Sequence, residues 1–183
     1  MTDDLNEVLS MSTASPSTRH TVIDTVLGPL TMVGDDDGIT GLYFPHHWTR
    51  PDPTTFGPRV DPADDRSFGP ACTQLAEYFA GERRQFDLPL IPHGDPRARK
   101  VWDRLAAIPY GRTTTYGALA RELGDGITAK EVGGFVGANP LSIFIPCHRV
   151  IGSTGKLTGY AGGLKRKQRL LELEGAIQPE LAA

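Results

Sequence analysis

Residues 115–140 read TYGALARELGDGITAKEVGGFVGANP, and this stretch decides the fold of the second half of the chain. Thr115 is suited to cap a short helix that runs to Leu123, and Gly124 supplies the flexible residue that closes it. Thr128 is suited to cap a further helix running to about Ala138, where Asn139-Pro140 stops it, because proline restricts the residue before it and has no amide proton. Two short helices joined by a glycine-containing turn suggest a helix-turn-helix.

Upstream, Asp95-Pro96 is an N-cap followed by proline at the first helical position. Val101, Trp102, Leu105 and Ile108 give that helix an apolar face, and Pro109-Tyr110-Gly111 ends it. Downstream, Leu141 to Ile145 is a short apolar run, read as a buried strand or extended segment. A final helix is expected from Gly163 to Glu174, with Leu164, Leu170, Leu171 and Leu173 for packing and Gly175 just beyond its end.

The first half has a different grain. Residues 1–18 are rich in Ser, Thr and Asp and are expected to form a disordered tail. His20 to Val26, Leu30 to Val33 and Ile39 to Phe44 read as three short strands of an antiparallel meander, separated by Gly28-Pro29 and by the turn at 35–38. Residues 45–67 read as a long loop. Phe68, Cys72, Leu75 and Phe79 share one stripe of a helix ended by Gly81, which makes Cys72 a core residue facing the sheet. Gln85 to Ile91 reads as a strand or extended segment.

Composition narrows the classes. No run of eighteen apolar residues is present, so no membrane-spanning segment is expected, and 39% hydrophobic content argues against a disordered chain. The polar, acidic start does not resemble a secretory signal. Two cysteines, Cys72 and Cys147, cannot build a disulfide framework, so a reducing, cytoplasmic setting is expected. The net charge of −3 argues mildly against a nucleic-acid partner, yet it is an average. Residues 1–94 hold 6 basic and 14 acidic side chains, whereas residues 95–183 hold 13 and 8. Two domains with different tasks would produce this split, and so would acidic loops that happen to lie early.

The chemistry concentrates at Ile145-Pro146-Cys147-His148-Arg149-Val150. A nucleophilic sulfur needs the thiolate, a neighbouring imidazole can take its proton, and a cation such as Arg149 can steady the anion. Adjacent side chains on an extended chain point apart, so His148 needs a bridging water or a bend to reach Cys147. A buried cysteine beside an uninvolved histidine is the plain alternative.

Pro146-Cys147-His148-Arg149-Val150 resembles the acceptor motif of the methylated-DNA–protein-cysteine methyltransferases, also called O6-alkylguanine-DNA alkyltransferases. IPYG at 108–111, TYGALA at 115–120, GANP at 137–140 and TGYAGGLKRK at 158–167 extend that resemblance, and GPL at 28–30 and YFAGE at 78–82 are similar to the family's N-terminal region. The resemblance implies a ribonuclease H-like α/β domain with a small antiparallel sheet at 19–94, then a winged-helix-like helix-turn-helix domain at 95–183 that binds DNA and accepts the alkyl group. It implies transfer of the O6-alkyl group of a flipped-out guanine to Cys147, once per chain. His148 would act as base through a water, and Glu174, 27 residues after Cys147, would orient the imidazole. Tyr116 matches the tyrosine that donates to N3 of guanine, and Asn139 the asparagine that ties the helix-turn-helix to the active-site segment. Val150, Tyr160, Ala161 and Gly162 would border the alkyl pocket, with Ala161 where many members carry serine. A solvated charge for Glu174 and a packing aromatic for Tyr116 are the plain alternatives.

The same resemblance places the second helix of the pair in the minor groove of double-stranded DNA containing O6-alkylguanine. Thr128, Lys130, Gly133, Gly134 and Arg149 are then the expected DNA contacts. Gly133, Gly134, Gly137 and Ala138 leave one face nearly bare, which suits an element about 10–12 Å across entering a groove about 6 Å wide. Lys130 stands where the family usually has an arginine, so it keeps the charge and loses the planar fork. Glu131, next to it, adds a negative charge on the reading helix. Lys165, Arg166, Lys167 and Arg169 form a basic cluster, read as a solvated face or as a DNA contact. His46, His47 and His93 do not make a credible metal set. No cofactor is expected, and the protein is expected to act as a monomer. A damage sensor without transfer is the second reading, and its relatives lack the acceptor cysteine; a Cys-His hydrolase is the third, and would not need a glycine-rich groove helix.

Overall fold

A computed structural model describes residues 18–179. Residues 1–17 of the expected tail lie outside them. The strands β1 (Arg19–Ile23), β2 (Leu30–Gly34) and β3 (Ile39–Tyr43) form the antiparallel meander in sequence order. Register pairs Thr21 with Met32 and Met32 with Leu42, so their side chains share one face of the sheet. The loop of residues 45–67 contains two short 3-10 turns, Pro53–Phe56 and Pro62–Asp64, each entered from an aspartate that accepts an amide proton and started by proline.

Helix α1 (Phe68–Phe79) packs with the meander, but its stripe differs from the one expected. Phe68, Ala71, Leu75 and Tyr78 are the buried positions, and Cys72 is only half-buried. Phe68 and Leu75 stand as expected, whereas Ala71 and Tyr78 take the deepest positions and Cys72 and Phe79 pack at the margin of the core; Tyr78 reaches inward to a polar partner in the second half. Residues 85–91 form no strand; Leu90 makes a single parallel bridge to Ile39.

Helix α2 (Pro96–Ala106) begins as expected, with Asp95 accepting from the amides of Arg97 and Ala98. Strand β4 (Thr114–Thr115) follows, then α3 (Tyr116–Leu123), capped by Thr115, and α4 (Ala129–Gly137), capped by Thr128. These three helices pack on one another through Val101, Trp102, Leu119, Val132 and Val136, which are buried, and the Trp102 indole donates to the Phe135 carbonyl. Two-residue β5 (Val150–Ile151) pairs parallel with β4, and α5 (Leu164–Leu173) is the last helix among the described residues. One continuous core runs from Leu30 and Leu42 in the meander through Leu105 and Ile145 to Leu170.

Residues 141–145 are a tight turn, not a strand. The Phe144 amide donates to the Ser142 carbonyl (2.9 Å) across Ile143, whose φ is +71°. A β-branched residue in that region carries strain of about 1–3 kcal/mol, which the surrounding packing must offset.

Candidate active site

The turn at Ile143 is followed by a second three-residue turn. Pro146 has φ −80° and ψ 64°, and the Cys147 amide donates to the Ile145 carbonyl at 2.8 Å. A 3-10 turn over Cys147–Arg149 then bends the chain, so that neighbouring side chains need not point apart as they would on a strand. Asn139 fixes this segment. Its buried amide donates to the Ile145 carbonyl (2.8 Å) and accepts from the Leu141 amide (3.0 Å). Cys147 is buried at the floor of a cavity of about 460 Å³. Burial pushes its thiol pKa up, while Asn139 and the Lys167 ammonium act in the opposite direction.

Behind Cys147, His148 is fully buried and pairs with Glu174, Nε2 to Oε1 at 2.9 Å. A carboxylate acceptor at Nε2 assigns the imidazole proton there and leaves Nδ1 as an acceptor with no partner among the described residues. Burial lowers the pKa of His148 and Glu174 raises it, with burial the larger effect. Glu174 also accepts from the Tyr78 hydroxyl (2.7 Å), the Gly111 amide (3.2 Å) and Arg149. Arg149 binds it bidentately, Nε to Oε2 at 2.9 Å and Nη2 to Oε1 at 2.8 Å. Burial alone would raise the Glu174 pKa, but these partners hold it well below the usual carboxylate range. The end of α5 is built for this position. Gly175 (φ +68°) donates to the Glu172 carbonyl and Ala176 to that of Leu171, the paired bonds of a Schellman ending.

Arg149 therefore does not lie where the sequence reading put it. It is buried, bound to Glu174 and the Ile108 carbonyl, and over the Tyr110 ring, so it is not available to DNA. The basic cluster on α5 also divides. Lys165 and Arg169 are exposed. Arg166 donates to the carbonyls of Leu27 and Gly162 and covers the Phe44 ring at 4.8 Å, tying the first turn of the meander to the last loop. Lys167 is completely buried and donates to the carbonyls of Val150, Thr158 (2.7 Å) and Gly159 (3.3 Å). Burial lowers its pKa to about 8, and the Cys147 charge acts to raise it. The sequence carried a signal for this: Lys167 lies on the helical stripe of Leu164, Leu170 and Leu171. Tyr78 and Gly111 lie in the YFAGE and IPYG stretches, but nothing in those stretches showed that both would meet at Glu174.

In front of Cys147 the cavity is walled by Tyr116, Lys130, Gly133, Tyr160, Ala161 and, unexpectedly, Trp48 from the loop after β3. The Tyr116 hydroxyl donates to the Thr158 carbonyl at 3.3 Å. Val150 is buried in β5 and Gly162 packs on Phe44, where a Cβ would lie 2.4 Å from the ring, so these two support the wall and do not line it. Thr128, Lys130 and Gly134 are exposed on α4, with Gly133 half-buried. A methyl group at Gly134 would meet nothing within 4 Å, so internal packing does not require glycine there. Glu131 proves to be a cap. Its carboxylate accepts from the Thr128 amide (2.9 Å) and hydroxyl (2.8 Å) while Thr128 accepts from the Glu131 amide, and Arg97 lies 3.5 Å away. Among the described residues no group of His, Cys, Asp and Glu side chains is placed to hold a metal ion.

Two family models match the chain. One, 6-O-methylguanine DNA methyltransferase, ribonuclease-like domain, covers residues 18–92; the other, 6-O-methylguanine DNA methyltransferase, DNA binding domain, covers residues 96–176. A methylated-DNA–protein-cysteine methyltransferase of Mycobacterium tuberculosis is 44% identical, over 88% of this chain and 94% of its own length. One of Methanosarcina acetivorans is 37% identical, over 86% and 98%. The crystal structure of the Mycobacterium tuberculosis OGT in complex with DNA is 42% identical with a TM-score of 0.77, covering 86% of this chain and 93% of that one.

Proposed function

The chain belongs to the methylated-DNA–protein-cysteine methyltransferase family, and we propose that Cys147 is the residue through which it takes up the alkyl group. The activity is direct reversal of O6-alkylguanine damage in DNA. The observation that carries the assignment is the buried His148–Glu174 pair beside Cys147, at the floor of the cavity bordered by α4.

The thiol proton passes through a water to His148 Nδ1, the nitrogen that Glu174 leaves unprotonated. The thiolate then attacks the alkyl carbon. The S–C bond forms as the C–O6 bond breaks, and the electron pair leaves on guanine, where Tyr116 hydrogen-bonds or protonates N3. Lys167 favours the thiolate before the step. Afterwards Cys147 is a thioether, a poor leaving group, and Cys72 lies on α1 in a different cavity, with Ile23 and Phe79. Transfer is therefore stoichiometric.

DNA docks through the exposed face of α4 in the minor groove, with Thr128 and Lys130 on phosphate or base and Gly133 and Gly134 allowing close approach. We divide the chain functionally near residue 94, into a scaffold and a reading and acceptor half, and take the working unit to be a monomer without cofactor. Among the described residues no helix is long and apolar enough to cross a membrane. Two free thiols fit a reducing, cytoplasmic compartment. The test is a titration with excess methylated duplex. Uptake should plateau at one methyl per chain and be absent in Cys147→Ser; continued turnover would refute the assignment.

A further inference from the structure

We propose that Trp48 is a substrate-binding residue, whose indole is the wall on which the extruded alkylguanine lies while Cys147 attacks it. Trp48 is 62% exposed, although an indole is among the most costly side chains to leave in water. It nevertheless borders the same cavity as Cys147, Tyr116 and Lys130, and it comes from the meander half of the chain.

Its position is fixed from both sides. Before it, His47 is buried edge-on against Tyr43, with ring centroids 5.4 Å apart, and the His47 amide donates to the Phe44 carbonyl. After it, the Thr49 hydroxyl donates to the carbonyl of Gly137 at 3.1 Å, satisfying an otherwise unpaired carbonyl at the end of α4. The indole rests over that helix end, and a methyl group added at Gly137 would make ordinary van der Waals contact with it, 3.6 Å from Trp48 Nε1. A loop anchored at both neighbours thus presents an indole that is still 62% exposed among the described residues.

A planar purine is the ligand that suits such a face, because stacking on an aromatic ring needs no matched hydrogen bonds. Lys130, at the same mouth, is a charge on a flexible stem and cannot supply a plane. The proposal rests on the reading of this cavity as the alkylguanine site, and the experiment separates the two.

Transfer by the full-length protein is followed from free O6-benzylguanine and from a methylated duplex, as a function of concentration. Trp48→Ala should raise the half-saturating concentration of the free base about tenfold, with little change in the limiting rate. Trp48→Phe should restore most of it, and the unfolding midpoint of both variants should match the parent. A Trp48→Ala protein that saturates like the parent on the free base, a defect confined to the duplex, or a defect that Phe does not rescue would overturn the proposal. Cys147→Ser is run alongside. If it still transfers, the reading of the cavity fails; if it is inert while Trp48→Ala behaves as the parent, only the role of Trp48 fails.

Discussion

Behind Cys147, one carboxylate collects donors from Tyr78, Gly111, His148 and Arg149; in front of it, α4 presents Gly133 and Gly134 and few side chains at all. The rear of the site is a buried polar cluster in which each side chain is held by another, with His148 Nδ1 left open toward the thiol. The front is a surface from which side chains have been removed. The difference follows from two tasks. A base and its orienting acid work only in a fixed tautomer and geometry. A helix entering a narrow groove works by having little on it.

The rear is where a single change should cost most. Glu174→Gln removes the charge that balances Arg149 inside the protein, and breaking such a pair costs about 3–5 kcal/mol. Denaturant unfolding at neutral pH should show that loss, and transfer should fall with it. The acid limb tests the same residue. The folded pKa of Glu174 is depressed, so its contribution is complete above the unfolded carboxylate value of about 4.3 and is lost as pH falls below it toward the folded value. The Gln variant should lose less stability than the parent across that window; equal acid limbs would detach Glu174 from the cluster.

Lys167 connects rear to front, and its removal should be next in size. Lys167→Met takes the ammonium donor from the carbonyls of Val150, Thr158 and Gly159, of which Thr158 keeps only the Tyr116 hydroxyl, at about 1–3 kcal/mol, and it removes the cation that favours the Cys147 thiolate. The rate of alkylation of Cys147 by a small electrophile should then rise at higher pH than in the parent. Lys165→Met, at an exposed position, should leave both stability and that profile alone.

At the front the expected effects are small and opposite in sign. Gly134→Ala has open space and should stabilise α4 by up to about 1 kcal/mol, yet weaken binding to methylated duplex. Gain of stability with unchanged affinity would show that the bare face serves something other than docking.

Much of this was legible in the sequence, in proportion to how local the signal was. Caps at Thr115, Thr128 and Asp95 depend on residues three or fewer positions away, and they stand as read. Cys147, His148, Asn139 and Glu174 could be named from a motif and its spacing. Arg149 is paired with Glu174 and not placed at the DNA face, because the packing of α5 brings that carboxylate to it from 25 residues away. Glu131 looked discordant because its charge was read without its reciprocal bond to Thr128. Tyr78 and Trp48 come from the other half of the chain, and no pattern around them announces what they face.

The most direct test of the account is peptide mass spectrometry after one round of reaction with a duplex carrying O6-methylguanine. One added methyl is expected, confined to the peptide containing Cys147 and absent from Cys147→Ser. A methyl on Cys72, or on any residue other than Cys147, would contradict it.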